Sequence, residues 1–100
     1  METTKFVLNY NQFGVIQLDS DGNKAGKMDV SIQGNLLTIY HTEVDEAYGG
    51  RGFAKILMSA AVSYARENKL MIAPLCPYVY AQFKRQPDEY KDIWLKKNHP

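Results

Sequence analysis

The sequence predicts a single α+β domain: an antiparallel β-meander, then a β-α-β crossover, then a short C-terminal helix. Three observations predict it. The first half is a series of short β-prone runs separated by turn residues. The hydrophobic period then changes from alternation to helical spacing over Ala54 to Ala65. After that helix the apolar run "LMIAPLC" returns as a strand, closing a crossover unit.

The first strand runs from Lys5 to Asn9, with Phe6 and Leu8 on one face, and Asn9 to Gly14 supplies turn residues. Val15 to Leu18 forms the second strand. "DSDGNK" turns the chain, because Asp21, Gly22 and Asn23 tolerate positive φ. Met28, Val30 and Ile32 alternate with Lys27, Asp29, Ser31 and Gln33, as in a half-buried strand. Gly34-Asn35 makes the next turn, and "LLTIYHTEV" over Leu36 to Val44 is the fourth strand. Short turns between these strands imply an antiparallel meander.

Ala54, Leu57, Met58, Ala61, Val62 and Ala65 then mark one face of a helix, with Lys55, Ser59, Ser63 and Arg66 largely opposite. Asn68-Lys69 ends it. The following strand should pair in parallel with Leu36–Val44 through a right-handed crossover. Val79 and Phe83 suggest one or two helical turns ended by Pro87, and Tyr90, Ile93 and Trp94 should dock the tail on the core.

The totals narrow the function classes. A chain of 100 residues suits one domain over 1–100, with no linker to a second core. A net charge of +1 gives no global electrostatic case for direct binding of nucleic acid or of an anionic membrane. No run approaches the roughly 20 apolar residues that span a bilayer, and the N-terminus does not read as a signal peptide. The single cysteine, Cys76, has no internal disulfide partner, which suits a reducing, cytoplasmic setting. His41, Cys76 and His99 show no metal-ligand spacing, so no metal is expected. Lys84, Arg85, Lys91, Lys96 and Lys97 read as a solvated basic surface.

Three of seven glycines, Gly49, Gly50 and Gly52, stand where the helix begins. The first N–H groups of a helix have no intrahelical acceptors, and the helix dipole places partial positive charge there. Glycines let main chain approach an anion closely, so "GGRGFA" suits a phosphate, with Arg51 adding a cation. A P-loop would need Lys-Ser/Thr after its last glycine, where Phe53 and Ala54 stand; a dinucleotide fingerprint would need glycine at Lys55. A glycine-rich turn that binds nothing is the plain alternative.

"GGRGFA" before a helix resembles motif A of the GCN5-related N-acetyltransferases (GNATs), Gln/Arg-x-x-Gly-x-Gly/Ala. Gly52 and Ala54 match its last two positions, while Gly49 stands in place of Gln or Arg. "YHTEVDEAYGGRGFAKIL", "ARENKL", "APLCPYV" and "PDEYKDIW" resemble a subgroup of very small GNAT-like proteins, over roughly residues 24 to 94. The resemblance implies a reduced GNAT fold, acetyl-CoA as co-substrate and an amine acceptor, a protein lysine among the candidates. It also implies that amides over Gly49, Gly50, Arg51, Gly52, Phe53, Ala54 and Lys55 hold the pyrophosphate. The pantetheine arm would run beside Thr42, Glu43 and Val44, in the splayed gap before the strand ending at Cys76. Larger members insert helices after the first strand; Asn9 to Gly14 is too short for them, so the acceptor side should be open.

Candidate chemistry follows from residue types near that gap. Cys76, at the expected end of the fifth strand, could attack a thioester as a thiolate, although a free cysteine is commonly a buried small hydrophobe. His41 could take a proton near neutral pH, or be a hydrogen-bonded strand residue. Glu43 shares a strand face with His41 and could act as general base for an amine, or be a solvated strand-end carboxylate. Tyr78 and Tyr80 could protonate the departing thiolate or pack on the cofactor. Besides an acetyltransferase, the sequence admits a CoA-binding module with little turnover, or an interaction domain whose turn binds nothing.

Overall fold

A computed structural model describes residues 1–9 and 12–95. The strands are β1 (Glu2–Leu8), β2 (Phe13–Ser20), β3 (Asn23–Gln33), β4 (Leu36–Val44) and β5 (Met71–Pro74). The helices are α1 (Phe53–Glu67), α2 (Pro77–Arg85) and α3 (Pro87–Tyr90), with a 3-10 turn at Glu46–Tyr48 before α1. The sheet has five strands in the order β1-β2-β3-β4-β5; the first four pair antiparallel, and β4 pairs with β5 in parallel.

Most strands are longer than their β-prone runs, because ladder pairing recruits polar ends such as Glu2–Thr4 and Asn23–Lys24. The fifth is shorter. It stops at Pro74, and Cys76 is the N-cap of α2 rather than a strand residue, since Pro77 is pre-set for the first helical turn. The tail extends the sheet: the Leu95 amide donates to the Ile72 carbonyl at 2.9 Å, and Trp94 bridges Ile72 in parallel.

α1 packs one face onto β2, β3, β4 and β5. Phe53, Leu57, Met58, Ala61, Val62 and Ala65 are buried against Ile16, Leu18, Met28, Val30, Leu37 and Ile39. Ala54, expected in that stripe, is only half-buried, and Phe53 takes its place because the helix starts one residue earlier with its ring stacked on Tyr48 at 5.5 Å. α2 lies against β4 and β5, and its Phe83 stacks on Tyr90 of α3 at 4.5 Å.

One irregularity decides the faces of β4. Its register against β3 shifts so that Asp29 opposes His41 while Val30 opposes Ile39, which leaves Tyr40 as the extra residue of a β-bulge. Directly opposed residues share a sheet face. Leu37 and Ile39, opposite Ile32 and Val30, precede the bulge; Thr42, opposite Met28, follows it on the same core side. His41 and Glu43, opposite Asp29 and Lys27, therefore lie on the other face. Unbroken alternation would have sent these two after Leu37 and Ile39 into the core.

Candidate active site

Three elements converge beside β4. The β4–β5 pairing ends at Ile39 and Pro74, with the Cys76 amide adding a final bond to the Ile39 carbonyl at 2.9 Å. The β3–β4 ladder continues to Val44. The edge of β4 over Tyr40 to Val44 thus faces a gap where β5 has left the sheet and α2 begins. Main-chain groups on an unpaired edge are open to an extended ligand.

The glycine turn stands at the end of that edge. Asp45 closes the 3-10 turn by accepting the Ala47 N–H at 2.9 Å. Gly50 and Gly52 adopt φ +80° and +75°, a region costly for residues with a Cβ. A Cβ added at either position would meet nothing within 4 Å, so packing is not what calls for glycine there. Gly49, in contrast, is ordinary extended backbone with φ −62° and ψ 147°. Gly52 is the N-cap of α1, and no side chain caps the helix. Among the described residues, the amides of Gly50, Arg51 and Gly52 donate to no backbone carbonyl. The early amides of α1, from Phe53 and Ala54, have no intrahelical acceptor either. This is an unfilled set of N–H donors at a helix N-terminus, chemistry that fits a diphosphate. Lys55 follows in the first turn with an exposed side chain, and Arg51 rests its guanidinium over the Tyr48 ring at 5.3 Å.

Cys76 is 3% exposed, and its thiol donates to the Thr42 hydroxyl at 3.3 Å across the gap. His41 instead pairs with Glu43, Nε2 to Oε1 at 3.3 Å, with both side chains exposed. The structure thus brings Cys76 to Thr42 and His41 to Glu43; alternation sets the two pairs on opposite faces of β4, and the bulge turns Thr42 rather than His41 toward the core. Val44 is half-buried on the core side. Tyr78, one residue into α2, is half-buried; burial pushes its phenol pKa up, with Tyr90 and Cys76 adding to the rise and Arg85 opposing it. It therefore carries its proton at neutral pH. Tyr80 is exposed and packs edge-on against Trp94 at 6.2 Å.

Other residues at the site are not marked by any motif. Tyr40 makes the bulge and ties its hydroxyl to Ser31 at 2.8 Å. Lys27 and Asp29 pair at 3.4 Å on the same face as His41 and Glu43. Their signal in the sequence is the alternation of β3 read across the Gly34 turn, which needs the bulge to come into register. Among the described residues, no three His, Cys, Asp or Glu side chains gather as a metal site, and no helix is long and apolar enough to cross a membrane. His99, Lys96 and Lys97 lie outside the described residues.

Comparison with known proteins bears on the fold and the family. The solution structure of a GCN5-like protein from Staphylococcus aureus is 28% identical, with TM-score 0.67, covering 95% of this chain and 91% of that one. A ribosomal-protein-alanine N-acetyltransferase from Brucella melitensis shares the fold, with TM-score 0.63 at 18% identity over 90% of this chain and 69% of that one. Protein NATD1 of Gallus gallus is 38% identical over 52 residues, 52% of this chain and 47% of the relative. Protein NATD1 of Danio rerio is 33% identical over 72 residues, 72% of this chain and 66% of the relative. The chain thus matches about half the length of the first of these curated relatives. The sequence profile described as GCN5-related N-acetyl-transferase matches residues 14–93. With the profile spanning most of the chain and the fold agreeing, this protein belongs to the GCN5-related N-acetyltransferase family.

Proposed function

We propose that the protein transfers the acetyl group of acetyl-CoA to an amine. The observation that carries this reading is the open edge of β4 over Tyr40–Val44, leading directly to the unfilled amides of Gly50–Gly52. A diphosphate would bind at the turn, with Arg51 and Lys55 nearby, and a pantetheine amide could pair with main chain at Thr42 and Val44. The thioester would then sit near Thr42 and Cys76. Acetyl-CoA supplies an activated acyl group; the chain must position it, bring in an amine and receive a proton.

The direct route uses the outer face of β4. An ammonium first loses a proton to the Glu43 carboxylate or, through water, to the His41–Glu43 pair. The amine nitrogen bonds to the thioester carbonyl carbon and sheds its second proton to water, the C–S bond breaks, and the thiolate takes a proton from water or from Tyr78, which water then reprotonates. The exposed His41 and Glu43 leave room for acceptors as different as a free amine and a protein lysine. A second reading is favoured by one contact, the Cys76 thiol at 3.3 Å from the Thr42 hydroxyl in the gap. There the thiol, its proton passed through Thr42 or water, attacks the thioester, releases CoA and holds the acetyl group for the amine.

Intact-mass analysis after exposure to acetyl-CoA, followed by amine addition, tests both. The direct route predicts acetylated amine and free CoA with no acyl-protein; the cysteine route predicts one acetyl group on Cys76 before amine is added. CoA binding without transfer to any amine would reduce the reading to a CoA-binding module. Absence of CoA binding would overturn it.

A further inference from the structure

A cavity of about 260 Å³ lies over the outer face of the sheet, lined by Val15, Gln17, Lys24, Lys27, Glu43 and Asp45 among others. It is formed at a second bulge, where Gly26 opposes Leu18 and Lys24 opposes Asp19, so that Ala25 is the extra residue of β3. The Asp45 amide donates to the Ala25 carbonyl at 2.8 Å, which holds the end of β4 against that bulge. The cavity has charges of both signs. Glu43 stands at the end nearest the open edge of β4, and its carboxylate already contacts His41. At the β3 side stand Lys27, paired with Asp29, and Lys24, which makes no ion pair among the described residues.

Lys27 stands directly opposite Glu43 in the β3–β4 register, and Lys24 lies three residues farther along β3, beyond the Ala25 bulge. Strand residues rise by about 3.3 Å each, so a molecule reaching from Lys24 to Glu43 spans roughly 7–10 Å along the strands. We propose that this cavity is the acceptor subsite and that it takes a small amino acid whose amine and carboxylate are separated by several carbons. Lys24 binds the carboxylate; the amine lies at Glu43, which accepts its proton before it bonds to the acetyl carbon. An α-amino acid holds its two charged groups too close together to reach both ends. An amine with no acid group leaves Lys24 without a counter-ion. This inference rests on the acetyl-transfer reading and narrows its acceptor.

The test compares acetylation of 4-aminobutyrate and 6-aminohexanoate with that of glycine and of butylamine. The expected result is kcat/KM for the longer amino acids at least about tenfold above that for butylamine, as expected of a charge-assisted contact. Lys24→Ala should lower that ratio by about the same factor, and Lys24→Arg should largely restore it. Amide chemical shifts recorded with 4-aminobutyrate, in the presence of CoA, give a readout independent of turnover. Shifts centred on Gln17, Lys24 and Lys27 support the subsite. Their absence overturns it, as does equal use of butylamine, or better use of a lysine peptide with no acidic neighbour. Loss of CoA binding itself would instead count against the acetyl-transfer reading.

Discussion

Gly52 takes φ +75° at the N-cap of α1 with open space where a Cβ would point, so backbone conformation rather than packing disfavours a side chain there. Gly52→Val should therefore cost roughly 1–2 kcal/mol of stability from left-handed strain, and CoA affinity should fall by more than that loss accounts for. Arg51→Ala removes only an exposed side chain resting on Tyr48, so its effect on CoA binding should be milder. Calorimetric titration of both variants checks the order; unchanged affinity in folded Gly52→Val would exclude the cradle. Cys76 poses a different question, since it is buried and its thiol donates to the Thr42 hydroxyl. Direct transfer predicts that Cys76→Ala keeps much of the turnover, whereas the covalent route predicts its loss along with the acetyl-cysteine peptide.

α1 links the turn to the core, so damage within it should reach both. Leu57 is fully buried, and Leu57→Ala should cost about 2–5 kcal/mol, read by chemical denaturation. A second tie joins the helix to the tail: Arg66 Nε and Nη2 bond the two carboxylate oxygens of Asp92 at 3.0 and 3.1 Å, and Nη2 also bonds the Glu89 carbonyl at 2.7 Å. The Arg66 hydrogen bonds hold the Asp92 carboxyl below its ordinary pKa. A carboxyl depressed on folding contributes stability that is complete above its unfolded pKa, about 3.9, and lost as pH falls through the lower folded value. Asp92→Asn should therefore lower Tm at neutral pH, with the difference from the parent shrinking below about pH 4. A difference that persists undiminished in strong acid would mean that the tie is not electrostatic.

For the molecule as a whole, the proposed function predicts that CoA at about 100 times its Kd raises stability by about 2.7 kcal/mol. A thermal or denaturant titration measures this without an acceptor. The order of strands and helices was legible in the residues, because alternation, helical spacing and turn chemistry are local signals carried by stretches such as "KMDVSIQ" and "FAKILMSAAVSYARE". The parallel closure of β5 on β4 followed from the crossover rule, and the glycine turn from its place between strand and helix. The faces of β4 were not legible. A bulge depends on how one strand finds register against its neighbour, and Tyr40 carries no local mark that it will be the unpaired residue. For the same reason Cys76 could be placed near the gap from its sequence position, while its partner could not. Composition and spacing thus determine which residues lie on which element, since those forces act within a few residues along the chain. Packing of β3 against β4 decides that the thiol meets Thr42, that His41 meets Glu43 on the opposite face, and that Lys24 and Lys27 share a cavity with Glu43. Cys76 and Thr42, like the two lysines and Glu43, are far apart in sequence and meet only through the folded sheet. His41 and Glu43, in contrast, share a face by alternation and need the register only to turn that face outward.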